Sequence, residues 1–266
     1  MAIELETTKM IAEVEDGIGW MTFNNPDRRN AVSLEMWAAM PTILDAFEAD
    51  DRVRVIVMKG AGDRAFVAGA DISEFDKRRS SAAESDKYGD VAQGAHRALK
   101  ALQKPMLAMV QGYCIGGGLA IALYADMRIV TEDSRFAIPA ARLGLGYAFD
   151  GLRMLVDLVG PSYAREIMFT ARQFSAEEAL RIGLANRVVP RAALEATVRD
   201  YATTIAGNAP LTIRAAKAAI AEVLKDPEAR DLEALEAITR ACFDSADYAE
   251  GRLAFREKRS PNFTGK

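Results

Sequence analysis

The sequence predicts an α/β fold that becomes wholly helical towards its C-terminal end. Three observations carry this reading. Short apolar runs, Val53 to Lys59 and Met106 to Val110, have the composition of strands buried on both faces of a sheet. Each leads into a loop of small residues, Ala65-Phe66-Val67-Ala68-Gly69-Ala70-Asp71-Ile72 after the first and Gln111-Gly112-Tyr113-Cys114-Ile115-Gly116-Gly117-Gly118 after the second. From Arg191 onward the spacing is helical throughout, which divides the chain into an α/β core over residues 1–190 and a helical subdomain over 191–266. With 266 residues, half of them hydrophobic, a sizeable core is possible.

Taken in order, Lys9 to Val14 and Ile18 to Phe23 read as strands joined by the hairpin signal Glu15-Asp16-Gly17. Pro26 and Asp27 end the second strand. Ser33 caps a helix running to about Ala49, with Met36, Met40, Ile43, Leu44 and Phe47 at helical spacing, and Pro41 predicts a kink or break within it. Lys77 to Asp90 is irregular and reads either as a solvated loop or frayed helix, or as a flap over a substrate. Val91 to Leu102 is a helix bearing His96, the one histidine of the chain, which reads as structural. Met106 to Val110 is a strand, and its three following glycines open a helix over Leu119 to Tyr124. Asp126 to Thr131 is a strand, and Phe136 to Pro139 leads into a loop with Gly144 and Gly146. Helices follow over Gly151 to Leu158, Ser162 to Thr170 and Ala176 to Ile182. In the last part Leu194, Val198, Tyr201 and Ile205 form one stripe, followed by Ile213 to Leu224 and Leu232 to Phe243. No repeat of solenoid period is evident.

Composition excludes several classes. The net charge of −4 argues against nucleic acid as the main partner. Cys114 and Cys242, the only cysteines, give no disulfide framework and, with one histidine, no zinc spacing. Met1 to Met10 is polar and acidic, so neither a signal peptide nor a membrane span is expected, and the protein reads as soluble and cytoplasmic, with no membrane partner.

The glycine run exposes backbone N–H groups at a helix start, the way a site for an oxyanion is built. Together with the Ala65–Ile72 loop and Asn24-Asn25-Pro26-Asp27-Arg28-Arg29-Asn30-Ala31, it resembles the crotonase superfamily, also called the enoyl-CoA hydratase/isomerase family, over nearly the whole chain. The resemblance implies a crotonase-like spiral of ββα units, a homotrimer or dimer of trimers supported by the C-terminal helices, and an acyl-CoA thioester as substrate. Coenzyme A then enters as part of the substrate, with no tightly bound cofactor. It also implies that the backbone amides of Ala70 and Gly117 hold the oxygen of a thioester enolate. By the same carry-over, Arg28, Arg29 and Ala31 lie on the nucleotide side of the CoA site. Ala68, Asp71 and Ile72 lie beside the first donor, and Phe255 and Lys258 lie in the C-terminal segment of the site. Arg28 and Arg29 also read as a solvated charged face, and Asp71 as a residue that orders its own loop.

The sequence departs from the family where proton transfer is concerned. Hydratases of the family carry two glutamates at the positions occupied here by Ala120 and Ala140, and alanine moves no proton. An altered reaction is therefore expected, still passing through an enolate. Two replacements stand in the next loop. Tyr147 matches a tyrosine that methylmalonyl-CoA decarboxylases of the superfamily place near the substrate carboxylate, although those relatives carry a histidine where this chain has Ala70. Asp150 lies two residues beyond a working aspartate of the dienoyl-CoA isomerases and aryl-CoA dehalogenases, and also reads as a helix N-cap. The alternatives are a hydratase or isomerase using Tyr147 or Asp150, a decarboxylase of malonyl-type thioesters, and a non-catalytic acyl-CoA-binding protein. Cys114 reads as small apolar packing rather than as a nucleophile.

Overall fold

The structure, a computed structural model, describes residues 3–71 and 82–266, with the backbone alone over 82–88. Ten strands form two sheets among these residues. The larger has the order β1(Met10–Glu15)-β2(Ile18–Phe23)-β3(Val55–Gly60)-β5(Met106–Val110)-β7(Met127–Thr131)-β10(Arg187–Val189). The smaller has the order β4(Ala65–Val67)-β6(Tyr113–Ile115)-β8(Arg135–Ala137)-β9(Phe174–Ser175). The β1–β2 and β8–β9 pairs are antiparallel and the others parallel.

The order of the strands is a spiral. β3, β5 and β7 each lie in the large sheet, and each is followed at once by β4, β6 or β8 in the small one. A helix then returns the chain to the start of the next turn: α2(Ala82–Ala101) after β4, α3(Gly117–Ala122) after β6, α4(Ala140–Leu143) and α5(Phe149–Thr170) after β8. β2 makes an earlier turn, since Val32 bridges to Ala70 before α1(Leu34–Ala49) begins. The turns start at Val55, Met106 and Met127, an unequal spacing, so no fixed period marks them in the sequence.

Local chemistry accounts for the elements. Asp16 and Gly17 have φ of 51° and 80°, the left-handed pair that a two-residue hairpin demands. α1 buries Met36, Trp37, Met40, Ile43, Leu44 and Phe47 as its spacing predicts, and it runs unbroken through Pro41. Packing of that apolar face against β1, β2 and α2 holds the helix where one backbone hydrogen bond is missing. Ser33 occupies the N-cap of α1 but makes no side-chain cap hydrogen bond. α2 begins at Ala82, earlier than the Val91 expected; of the irregular segment 77–90, residues 77–81 lie outside the described residues. The two helices read from Gly151 and Ser162 run as α5, which breaks at Gly160 (φ 73°, ψ 164°) just before Pro161. α6(Ala176–Arg181) starts from Ser175 with a capping box to Glu178.

The four C-terminal helices are α7(Leu194–Ala206), α8(Pro210–Val223), α9(Leu232–Phe243) and α10(Ala246–Glu257). Leu194, Val198 and Ala202 of α7 pack on Ile18, Trp20, Val55, Val57, Leu107 and Ile129. A helix from beyond residue 190 thus covers one face of the large sheet, while the main core fills the other. No helix among the described residues is long and apolar enough to cross a membrane.

One buried charge fastens the glycine helix. Arg128 on β7 is 2 % exposed and donates to the carbonyls of Ala122, Ala125 and Leu184. The first two lie at and just past the C-terminal end of α3, where positive charge is favoured. Burial lowers the guanidinium pKa to about 10, still far above neutrality. Arg128→Met is expected to destabilise the protein by about 2 kcal/mol, since three buried carbonyls lose a donor while the relief of a buried charge offsets part of that loss. Urea unfolding measures it, and an unchanged midpoint would show that the arginine does not hold the helix.

Candidate functional site

The site forms where the small sheet hands the chain to α3. After β6, Gly116 takes φ 53° and ψ −117°, a backbone conformation that residues with a Cβ rarely adopt. Gly117 is then the first residue of α3, so its N–H has no acceptor within the helix. Gly118 lies against β4: a Cβ there would stand 2.0 Å from the Val67 carbonyl oxygen. The sequence needs glycine at 116 for conformation and at 118 for close approach.

The second loop leaves β4 through Ala68 and Gly69. Val32 N–H donates to the Gly69 carbonyl at 2.8 Å, and Asp71 N–H donates to the Val32 carbonyl at 3.0 Å. In a parallel bridge the residue between two such bonds turns its own amide to the other side. Ala70 is that residue, and among the described residues its N–H has no recorded acceptor. The Ala70 nitrogen lies 3.7 Å from the point where a Gly117 Cβ would stand. Among the described residues neither the Gly117 nor the Ala70 N–H has a recorded acceptor, and the two loops bring these donors close together.

The arginine loop is pinned next to them. Asn30 is fully buried, and its amide donates to the Ala61 and Ala65 carbonyls, both at 2.9 Å, and accepts from Asn25 N–H at 3.0 Å. Ala68 N–H donates to the Arg29 carbonyl at 3.0 Å. Arg28, Arg29 and Ala31 are thus brought beside Ala68 and Asp71, with both arginine side chains exposed. The Arg29 guanidinium lies over the Tyr113 ring, 5.0 Å from its centroid. Asn30 is the residue that sequence reasoning missed. Its φ of 57° follows one of 53° at Arg29, and asparagine in a loop is the available signal for that conformation. Ile72 lies outside the described residues. Phe255 is 87 % exposed near the end of α10, and Lys258 is its left-handed cap. Among the described residues no recorded hydrogen bond, ion pair or ring contact joins either to the two loops.

Ala140 is buried and Ala120 half-buried, and neither offers a proton-transfer group. Tyr147 is half-buried with its ring against Gly151, and burial pushes its phenol pKa up, so it stays a hydrogen-bond donor. Asp150 is exposed in the first turn of α5; the N-cap is Ala148, which corrects the capping role considered above. As a carboxylate in a first helical turn it favours the helix through the dipole. Its charge is felt at Tyr124, where it adds to the upward push that burial gives that phenol.

Cys114 is fully buried, and burial pushes its thiol pKa well up. A nucleophile needs the thiolate, so the packing reading of Cys114 stands. Brief iodoacetamide treatment of the native protein is expected to label Cys242, which is only partly buried, and to leave Cys114 unmodified; equal labelling would overturn the burial of Cys114. Among the described residues no cluster of histidine, cysteine, aspartate or glutamate could hold a metal ion.

Comparison with known proteins bears on the family and the fold. Residues 13–266 match the family model of enoyl-CoA hydratase/isomerase. A short-chain-enoyl-CoA hydratase of Clostridium acetobutylicum is 35 % identical over 255 residues, covering 96 % of this chain and 97 % of that protein. A carnitinyl-CoA dehydratase of Proteus mirabilis is 34 % identical over 247 residues, covering 90 % and 92 %. The crystal structure of an enoyl-CoA hydratase/carnithine racemase from Magnetospirillum magneticum superposes with a TM-score of 0.90 at 36 % identity, covering 98 % of this chain and 97 % of that one.

Proposed function

Because the chain belongs to the enoyl-CoA hydratase/isomerase family, we propose that it is an enzyme acting on an acyl-CoA thioester through an enolate held by the backbone amides of Ala70 and Gly117. The observation that supports this most is the pair of amides, unpartnered among the described residues, that two separate loops place together. Two fixed donors aimed at the developing oxygen charge are each worth about 3 kcal/mol in the transition state. Arg28 and Arg29, exposed beside the first donor, supply positive charge for the phosphates of coenzyme A. Binding by such a site needs no oxyanion donors, so their presence favours an enzyme over a non-catalytic acyl-CoA binder.

The reaction is not water addition by two glutamates, since Ala120 and Ala140 stand in their places. The named hydratases and dehydratases among the relatives bear on the substrate class, an acyl-CoA, more than on the chemical step. A homotrimer or dimer of trimers belongs to the same proposal. The exposed apolar side chains of Ile220, Val223, Leu232 and Phe243 on the last helices support it.

Crotonyl-CoA hydration, followed by the loss of the conjugated thioester absorbance, tests the reading. No hydration with acyl-CoA binding intact is the expected result. A turnover number near the enzyme median of about 10 s⁻¹ would show that another group activates water and that the inference from the two alanines fails.

A further inference from the structure

With Ala120 and Ala140 unable to move a proton, the side chains around Ala120 decide what can. Ala120 is only half-buried although Leu119 and Ile121 beside it are fully buried. Tyr124, in the turn just past the end of that helix, is half-buried as well. Gly117 and Ala120 mark the side of the glycine helix that the described residues cover least. His96 of α2 packs between two aromatic rings, tilted to both, with its ring centroid 5.5 Å from that of Tyr124 and 5.1 Å from that of Trp37. Trp37 in turn reaches the donor loop: its Cζ2 lies 3.9 Å from the point where a Gly117 Cβ would stand. The imidazole is therefore one ring removed from the oxyanion donor.

Packing alone does not explain a histidine there. Its Nδ1 is buried with no hydrogen-bond partner among the described residues, a loss of about 1–3 kcal/mol that an apolar side chain would avoid. Among the described residues no recorded hydrogen bond sets the ring's tautomer, and the buried Nδ1 is left without a partner. Among the described residues the groups facing it are Trp37 from α1 and Tyr124 after α3, with the Asp150 carboxylate of α5 close enough to act on Tyr124. Next to it on α2, Arg97 is exposed and donates to Gln93 at 3.0 Å.

We propose that His96 is the base that takes and returns the α-proton of the acyl-CoA, in place of the absent glutamates. The proposal rests on the acyl-CoA reading of the site. In the forward step the imidazole nitrogen takes the α-proton, and the electrons of the broken C–H bond form the carbon–carbon double bond of the enolate. The carbonyl π pair moves onto the oxygen facing Ala70 and Gly117. The reverse step returns a proton from the imidazolium to carbon. Burial lowers the His96 pKa, which keeps the imidazole neutral and basic at neutral pH.

Exchange of the α-protons of butyryl-CoA in deuterated water, followed by mass spectrometry, tests this directly. The wild-type protein is expected to exchange them at a rate level near neutral pH and falling on the acid side, below the ordinary histidine pKa of about 6.5. His96→Gln, which keeps a planar polar group between the two rings, is expected to slow exchange by about 100-fold or more with butyryl-CoA binding unchanged. His96→Ala is expected to regain part of the rate with added imidazole, which a merely structural role would not allow. Exchange by His96→Gln at the wild-type rate overturns the assignment and leaves the acyl-CoA site standing. So does a wild-type protein that binds butyryl-CoA without exchanging it. A wild-type protein that binds neither butyryl-CoA nor coenzyme A overturns the reading of the site beneath it.

Discussion

Gly117→Pro is expected to lower turnover of an acyl-CoA by about 10²–10³-fold while the protein stays folded. The substitution removes that N–H and sets the ring Cδ on the same nitrogen, so the donor is both lost and blocked. Gly117 is the first residue of α3, where proline is well accepted because that amide has no helical acceptor. A Cβ at 117 meets the Ala70 nitrogen, the Gly69 carbonyl carbon and Trp37 Cζ2 at 3.7, 3.8 and 3.9 Å, all ordinary contacts. The loss therefore falls on the oxygen charge that the amide is placed to stabilise. Steady-state kinetics on the best acyl-CoA substrate, with circular dichroism and a thermal melt as controls, measure it. Undiminished kcat in a folded variant would remove Gly117 from the oxyanion site.

How far the site could be read beforehand depended on whether its chemistry was local. The three glycines announced a strand-to-helix turn because glycine there serves conformation and close approach, both properties of the chain itself. The small-residue loop at Ala65–Ile72 and the arginine loop were legible for the same reason. The pairing of β3, β5 and β7, and of β4, β6 and β8, was not, because unequal insertions separate the turns of the spiral. Buried polar residues were the least legible. Arg128 reads as one more charge on a strand, yet it donates to three carbonyls at the ends of two segments distant in sequence. Asn30 reads as a loop residue, yet it ties the arginine loop to the turn between β3 and β4. His96 reads as one polar residue on an ordinary helix, and only the fold sets it between Trp37 and Tyr124. Alanine at 120 and 140 was plain in the sequence, but which side chains surround them is a matter of tertiary packing.

The adjacent glycine carries the opposite expectation. Gly118→Ala should destabilise the protein by about 3 kcal/mol or more, even though alanine is favoured over glycine by about 1 kcal/mol inside a helix. Sterics decides the sign. A Cβ at 118 would stand 2.0 Å from the Val67 carbonyl oxygen and 2.8 Å from its carbon. Both are backbone atoms, so no rotamer change relieves the clash. Val67 is the last residue of β4, fully buried, and three residues before Ala70. To admit the methyl group, α3 must move away from β4, which separates the loops that hold Ala70 and Gly117. Whatever fraction folds is therefore expected to lose turnover as well. Urea unfolding of Gly118→Ala beside Gly117→Ala is the measurement. At 117 the same methyl group finds contacts of 3.7 Å and longer, and the stability change should stay within about 1 kcal/mol. Equal and small effects at the two positions would mean that α3 does not press on β4, and the side-by-side placement of the two donors would go with it.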